Sequence, residues 1–181
     1  MDRSNATIGA CILVGGLSQR MGRDKARLTL GRRTFLSHIR DVASAAGFPV
    51  RIIRKDLVPR RGPVGGIYTG LLTSPHQAEL FLACDMPFVS AEWLKELADV
   101  FRSSGEPVVT KTEAGPGFPL IVPTRYGLFD VVRGSRSIRS LVEAVAAQVV
   151  SLRLPLIATN INTPTQLAQA RKLWQERRAK A

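Results

Sequence analysis

A glycine-rich loop follows the first apolar segment of the sequence, and it holds the first side chains that could do chemistry. Gly15 to Lys25 reads GGLSQRMGRDK, with three glycines, two arginines and one lysine. Glycines let the backbone approach a phosphate closely and present its N–H groups, and cationic side chains balance the charge of a polyphosphate. The loop therefore predicts an anion-binding site in which Arg20 and Lys25 supply positive charge.

The spacing within this loop differs from two common nucleotide-binding patterns. A P-loop needs a lysine followed by serine or threonine, and a dinucleotide fold needs GxGxxG; neither occurs here. The two glycines alone are as consistent with an ordinary turn as with a ligand site. Arg20, Gly22 and Lys25 in the same loop favour phosphate binding.

Asp85 is the second candidate for chemistry. It follows the apolar run ELFLAC, Glu79 to Cys84, and precedes Met86 and Pro87. A carboxylate at the end of a buried strand can hold a Mg²⁺ ion that bridges phosphate oxygens, whereas the alternative is a turn or helix-capping aspartate. Asp56 is a weaker candidate, since its turn-like surroundings suit a solvated aspartate equally well.

Strands and helices alternate along the chain and must position these residues. Strands are predicted over 8–14, 49–53, 79–84, 107–111, 118–122, 148–152 and 157–160, and helices over 34–46, 63–73, from 90, over 137–147 and from 163. Thr34, Ser90 and Thr163 are the predicted N-caps, the last with Pro164 and Gln166 completing a capping box. We therefore predict an α/β fold: one three-layer domain with a doubly wound, mostly parallel, Rossmann-like sheet that binds ligands at its carboxyl edge.

Length and composition limit the remaining possibilities. With 181 residues, 45% of them hydrophobic, the chain predicts one domain over 1–181, with the basic end at about 175–181 a candidate for disorder. No signal peptide and no apolar stretch of membrane-spanning length is recognised, which predicts a cytoplasmic protein without a membrane partner. Cys11 and Cys84 lie in apolar runs and are predicted to be buried and unpaired.

The net charge of +12 predicts an anionic ligand or partner. Polyphosphates and nucleic acid both satisfy this charge. Few aromatic residues are interleaved with the basic ones, which disfavours a stacking surface for nucleic acid. The C-terminal basic cluster is best explained as a solvated helix end.

The sequence resembles the molybdenum cofactor guanylyltransferases, also called molybdopterin-guanine dinucleotide biosynthesis protein A. The segments that carry the resemblance span almost the whole chain, and they are LVGGLSQRMGRDKARL, RRGPVGGI, ACDMPF and NINTPTQL. The resemblance implies a Mg²⁺-dependent transfer of GMP from GTP to molybdopterin, which releases pyrophosphate. It also implies transient docking to molybdoenzymes or cofactor-delivery proteins.

The same resemblance implies roles for individual residues. Arg20, Lys25 and Asp85 would be catalytic, and Asp85 would bind Mg²⁺. Asn160 and Asn162 would lie near the pterin half of the site, although a structural role at a strand-to-helix turn is equally compatible. The remaining nucleotide contacts would come from Leu13, Val14, Gly15, Gly16, Ser18, Gly22 and Asp56.

Two departures from the family pattern keep other hypotheses open. Val14 stands where the family normally has alanine, and the shortened stretch from Ala46 to Asp56 lacks an asparagine that helps to bind the nucleotide. A related nucleotidyltransferase that uses CTP or another phosphorylated acceptor is the first alternative. A non-catalytic protein that binds nucleotide or nucleic acid is the second.

Overall fold

The computed structural model describes residues 6–14, 25–58, 61–112, 115–151 and 160–179. The strands are β1 (Ile8–Leu13), β2 (Thr29–Leu30), β3 (Arg33–Thr34), β4 (Val50–Ile53), β5 (Ala78–Ala83), β6 (Val108–Thr112), β7 (Gly115–Pro123) and β8 (Gln148–Ser151). The helices are α1 (Phe35–Ala45), α2 (Pro63–Leu72), α3 (Ala91–Ser104), α4 (Tyr126–Gly134), α5 (Ile138–Ala144) and α6 (Pro164–Ala179), with a short 3-10 turn over Lys25–Arg27.

Six strands form one sheet in the order β4-β1-β5-β7-β6-β8. β7 runs antiparallel to both of its neighbours, whereas the pairs β1–β4, β1–β5 and β6–β8 are parallel. Leu13 is in register with Ile53 on one side and with Ala83 on the other. The residues that follow these three strands therefore meet at one edge, and the predicted mostly parallel α/β sheet is confirmed.

Helices cover both faces of the sheet, because successive residues of a buried strand point to opposite sides. Ala10 and Ile12 of β1 pack in one hydrophobic cluster with residues of α1 and α3. Cys11 and Leu13 pack in a second cluster with residues of α2, α4 and α5. Three layers result, as predicted, and β1 is buried along its whole length.

The predicted N-caps are confirmed at three helices. The hydroxyls of Thr34, Ser90 and Thr163 each accept a hydrogen bond from the main-chain N–H three residues later, at 3.1 to 3.2 Å. The sequence does not predict α4, and the residue at the start of this helix gives the reason. Its N-cap is Arg125, which makes no side-chain capping bond, so the usual polar start signal is absent.

A third hydrophobic cluster attaches α6 to the rest of the molecule. Leu30 and Phe35 are fully buried there against Phe88, Ile161 and Ala170. The two-residue strands β2 and β3 pair as an antiparallel ribbon, and β2 contributes Leu30 to this cluster. The sequence gives no period-2 pattern long enough to predict such short strands.

Three smaller predictions concern the cysteines, the membrane and the last strand. Both cysteines are buried thiols outside any disulfide, as predicted. Burial, together with the nearby Glu79, raises the pKa of the Cys11 thiol to about 12. No helix in the described ranges is long and apolar enough to cross a membrane. The predicted strand over 157–160 falls almost wholly outside the described residues.

Candidate active site

Lys25, Asp85 and Asn162 meet at the carboxyl edge of the sheet. The ammonium of Lys25 donates to Asp85 Oδ2 at 2.8 Å and to Asn162 Oδ1 at 2.5 Å. The side chains of Lys25 and Asp85 are only 19% and 14% exposed. A partly buried ion pair at the end of a central strand holds a cation and a carboxylate together where the sequence predicted the phosphate site.

Local structure brings each of these three residues to the site. Lys25 begins the 3-10 turn, whose Ala26 is buried, and its carbonyl accepts from Leu28 N at 3.1 Å. Asp85 lies two residues beyond β5. Asn162 is brought in because the preceding Ile161 donates its N–H to the Asp85 carbonyl at 2.9 Å.

One oxygen of Asp85 has no protein partner among the described residues. Oδ2 accepts from Lys25, but the buried Oδ1 accepts no hydrogen bond. A buried carboxylate oxygen without a partner is costly, so a bound cation or donor is expected to satisfy it. The described residues contain no group of three or more His, Cys, Asp and Glu side chains arranged for a metal. Mg²⁺ fits this single carboxylate, because it takes one or two of them together with waters and substrate phosphates.

The end of β1 forms the next part of the site. Val14 is buried and donates its N–H to the Ile53 carbonyl at 2.8 Å, which extends the ladder to β4. The Leu13 side chain packs against α2, where its methyl carbons lie 3.0 and 3.1 Å from the point that a Cβ at Gly66 would occupy. The end of β1 is therefore held in place on both sides, by β4 and by α2.

Asp56 lies against the first turns of α2, beside the end of β1. Its Oδ2 lies 2.9 Å from the position of a Cβ at Gly65, and its Oδ1 lies 3.4 Å from the position of one at Gly66. Burial raises the pKa of this carboxyl above its usual value. The sequence motifs give Gly65 and Gly66 no role, and the signal that could have found them is the glycine pair itself, two positions after Pro63.

A threonine of α2 holds the Asp56 loop in place. Thr69 Oγ1 accepts from the Leu57 N–H at 2.9 Å and donates to the Gly65 carbonyl at 2.8 Å. The loop is thereby fixed one residue after Asp56. This carboxylate can only accept hydrogen bonds when ionised, so it suits a ligand that presents donors.

Several predicted residues are not brought into this arrangement by the structure. Asn160 is exposed, two positions before Asn162. The predicted loop residues Gly15, Gly16, Ser18, Arg20 and Gly22 lie outside the described residues. Their roles stay predictions.

Further arginines lie around the same edge of the sheet. Arg61 precedes α2 and donates from Nη1 to the Arg133 carbonyl at 3.1 Å, which joins the start of α2 to the end of α4. Arg139 of α5 places Nη2 3.6 Å from the position of a Cβ at Gly115, where β7 begins. Both are exposed, and no ion pair is recorded for either in the described part of the chain. They add positive charge beside a site suited to phosphates.

Comparison with known proteins shows which family this chain belongs to. Residues 10–152 match the family described as the MobA-like NTP transferase domain, which is most of the chain. The chain belongs to this family. The resemblance to the molybdenum cofactor guanylyltransferases noted in the sequence is thereby confirmed at the level of the family.

Relatives agree with that assignment to the MobA-like family, and a solved structure shares the fold. A probable molybdenum cofactor guanylyltransferase of Trichormus variabilis is 30% identical over 182 residues, with 88% of each chain covered. Another, of Methanothermobacter thermautotrophicus, is 35% identical over 116 residues that cover 52% of this chain. That alignment spans 58% of the relative's own length, little more than half. The crystal structure of molybdopterin-guanine dinucleotide biosynthesis protein A from Archaeoglobus fulgidus has the same fold, with a TM-score of 0.72, 19% identity, and 93% and 99% of the two chains covered.

Proposed function

We propose that this protein is a nucleotidyltransferase that transfers GMP from GTP to molybdopterin, giving the guanine dinucleotide cofactor and pyrophosphate. The observation that carries the proposal is the Lys25–Asp85 ion pair beside the unpartnered Asp85 Oδ1 at the carboxyl edge. Relatives named molybdenum cofactor guanylyltransferase support the choice of substrates. The proposed location is the cytoplasm, where GTP and Mg²⁺ are supplied.

In the proposed reaction, the terminal phosphate of the pterin attacks the α-phosphorus of GTP. A new P–O bond forms, the bond between the α-phosphorus and its bridging oxygen breaks, and pyrophosphate leaves. A phosphate nucleophile is already ionised at neutral pH, so no general base is required. Catalysis then depends on positioning and on stabilising charge, which Lys25 and Arg20 supply.

Asp85 is the proposed magnesium ligand. Its Oδ1 has no partner within the described ranges, and the carboxylate lies at the strand end where phosphates would bind. Bound Mg²⁺ would neutralise negative charge on the phosphate oxygens. Lys25, held on Oδ2, would contact the same phosphates from the other side of the carboxylate.

The base is proposed to bind on the side of the site that Asp56 occupies. Guanine presents adjacent N–H donors on its pairing edge, and an ionised carboxylate offers only acceptors. Leu13, Val14 and the glycines of the loop would contact the nucleotide through their backbone, with Ser18 and Gly22 completing the cradle. A cytosine offers a different donor pattern, so Asp56 would favour GTP over CTP.

The acceptor is proposed to enter beside Asn160 and Asn162, next to the first residues of β7. Because Phe81 pairs with Leu120, the register brings the start of β7 near Asp85. A Cβ at Gly117 would contact nothing within 4 Å, so there is open space there. Docking to a molybdoenzyme or to a cofactor-delivery protein is also proposed, since a protein with a net charge of +12 attracts acidic partners.

Calorimetric titration of GTP, CTP and ATP with and without Mg²⁺ tests the proposal. We expect saturable binding that favours GTP, strengthens with Mg²⁺ and weakens strongly in Lys25→Ala. Pyrophosphate release should require GTP, Mg²⁺ and molybdopterin together. A preference for CTP would replace guanylyl by cytidylyl transfer, and an absence of any nucleotide binding would overturn the proposal.

A further inference from the structure

The side-chain amide of Gln166 binds the main chain of the segment that enters the active site. Its Oε1 accepts from Asn162 N at 2.7 Å and from Thr163 N at 3.1 Å. In return, Gln166 N donates to Thr163 Oγ1 at 3.2 Å. These bonds form the capping box of α6, and one of them also fixes the backbone of a residue that contacts Lys25.

Asn162 is therefore held from three directions. Gln166 binds its main-chain N–H, the preceding Ile161 is bound to the Asp85 carbonyl at 2.9 Å, and its own Oδ1 accepts from Lys25 at 2.5 Å. A short chain of hydrogen bonds thus runs from the first turn of α6 to the Lys25 ammonium. Gln166 has no recorded contact with Lys25 itself, so any effect on Lys25 passes through Asn162.

α6 is a fixed support for this chain of hydrogen bonds. Ala170 is 3% exposed, and Trp174 meets the His38 ring edge to face with centroids 4.6 Å apart. Arg171 Nε donates to the Thr29 carbonyl of the ribbon at 3.4 Å, and Arg177 stacks over the Phe88 ring at 5.6 Å. The ribbon in turn follows the Lys25 turn directly, so the support and the supported cation belong to one packed unit.

We infer that Gln166 is a positioning residue for nucleotidyl transfer: through Asn162 it sets the place of the Lys25 ammonium. The inference rests on the proposed role of Lys25 at the phosphates. Misplacing a charged group by about 1 Å can cost on the order of 100-fold in rate. Loss of the Gln166 acceptor therefore lowers turnover more than it weakens GTP binding, since the loop and Asp56 still bind the nucleotide.

Three variants separate positioning from helix capping. Gln166→Ala removes the acceptor, and Gln166→Glu restores an acceptor oxygen in the same place. Thr163→Ala removes the other half of the capping box and leaves Gln166 Oε1 free to bind Asn162. If the box only caps α6, Thr163→Ala and Gln166→Ala have equal effects.

The expected results are specific to the Asn162 connection. Gln166→Ala lowers kcat by about tenfold with the KM for GTP within about threefold, whereas Gln166→Glu and Thr163→Ala keep kcat within about threefold of wild type. In the Asn162→Ala background, Gln166→Ala has no further effect on kcat. The exposed Gln169→Ala of the same helix is the matched control and leaves both parameters unchanged.

A readout without turnover keeps the inference separate from the proposed function. Acetic anhydride should label Lys25 slowly in the wild type, because its side chain is 19% exposed and its ammonium is bonded twice, and it should label exposed Lys95 fast. Gln166→Ala should raise the Lys25 rate alone, and Gln166→Glu should restore it. Unchanged Lys25 labelling in a folded Gln166→Ala protein, or equal kcat losses in Gln166→Ala and Thr163→Ala, would overturn the inference. A wild-type protein that releases no pyrophosphate would overturn the proposed function, and the labelling result would still decide the positioning.

Discussion

Lys25 and Asp85 lie 60 positions apart in the sequence and form an ion pair of 2.8 Å at the end of β5. The pair occupies the place where the triphosphate is proposed to bind. An incoming triphosphate would therefore contact the Lys25 ammonium on one side of the pair, while Asp85 Oδ1 is available to a cation on the other. Substitutions of the two residues are therefore expected to have different effects: a change at Asp85 should remove the Mg²⁺ dependence, and a change at Lys25 should weaken GTP binding.

Asp85→Asn should abolish the magnesium dependence of nucleotide binding. The amide keeps an oxygen for Lys25 but removes the charge that the cation needs, so pyrophosphate release should fall on the order of 100-fold. Titration of GTP with and without Mg²⁺, together with a turnover assay, measures both effects. Asp99→Asn on α3, an exposed residue paired with Arg102, is the matched control. Undiminished stimulation by Mg²⁺ in Asp85→Asn would exclude Asp85 as the metal ligand.

Lys25→Ala should weaken GTP binding and slow the transfer step. Loss of a cation aimed at the leaving pyrophosphate typically costs about 100-fold or more in rate. Because the Lys25 ammonium bonds the side chains of Asp85 and Asn162 rather than a helix or strand backbone, the circular dichroism spectrum should match the wild type. Lys95→Ala, on the exposed side of α3, should have no effect on turnover. Full turnover in a folded Lys25→Ala protein would show that another group serves the phosphates.

Asp56→Asn should stabilise the protein at neutral pH and weaken GTP binding. The pKa of Asp56 is raised by burial in the folded state, so its stabilising contribution is complete below the unfolded pKa of about 4 and is lost as the pH rises through the folded pKa. At pH 7 the charged carboxylate therefore opposes folding. The gain should be less than about 1 kcal/mol, because water screens a half-exposed charge.

Thermal melts of wild type and Asp56→Asn between pH 3 and pH 8 measure the sign of this effect. The variant should melt higher at pH 7, and the difference should shrink at about pH 3, where both side chains are neutral. Exposed Asp130→Asn on α4 serves as the control. A variant that melts lower at pH 7 would mean that the ionised carboxylate stabilises the start of α2.

Gly70→Ala should destabilise the fold without touching the site. A Cβ at Gly70 would stand 2.6 Å from Phe81 Cε1 and 2.9 Å from Cys11 Sγ, so α2 would have to move off the sheet. Such overpacking typically costs about 1–3 kcal/mol, measurable by urea unfolding. Gly127→Ala in α4 is the matched control, because a Cβ there meets nothing within 4 Å and should be neutral or slightly stabilising. Equal midpoints for the two variants would contradict the close packing of α2.

Signals that act within a few residues allowed much of the fold to be predicted. Three helix starts could be predicted at Thr34, Ser90 and Thr163, because a hydroxyl at the N-cap binds an amide three residues away. The apolar runs of β1 and β5 show that both faces are covered. α4 could not be predicted because it lacks a polar N-cap. The β2–β3 ribbon could not be predicted because packing against α6 holds it in place.

In the site, too, features that depend on neighbouring residues could be predicted from the sequence, and contacts between distant residues could not. The sequence by itself predicted a phosphate-binding loop, placed a carboxylate after β5 and indicated the family, because glycine and charge patterns are local. The Gln166 bond to Asn162 spans four positions and accompanies the capping box that the sequence predicts. Only the tertiary structure decided that Asn162 contacts Lys25 across 137 positions and that Asp56 lies beside Gly65 and Gly66. These contacts depend on how strands are ordered in the sheet and how α6 packs, and non-local packing of this kind leaves no pattern in a single sequence.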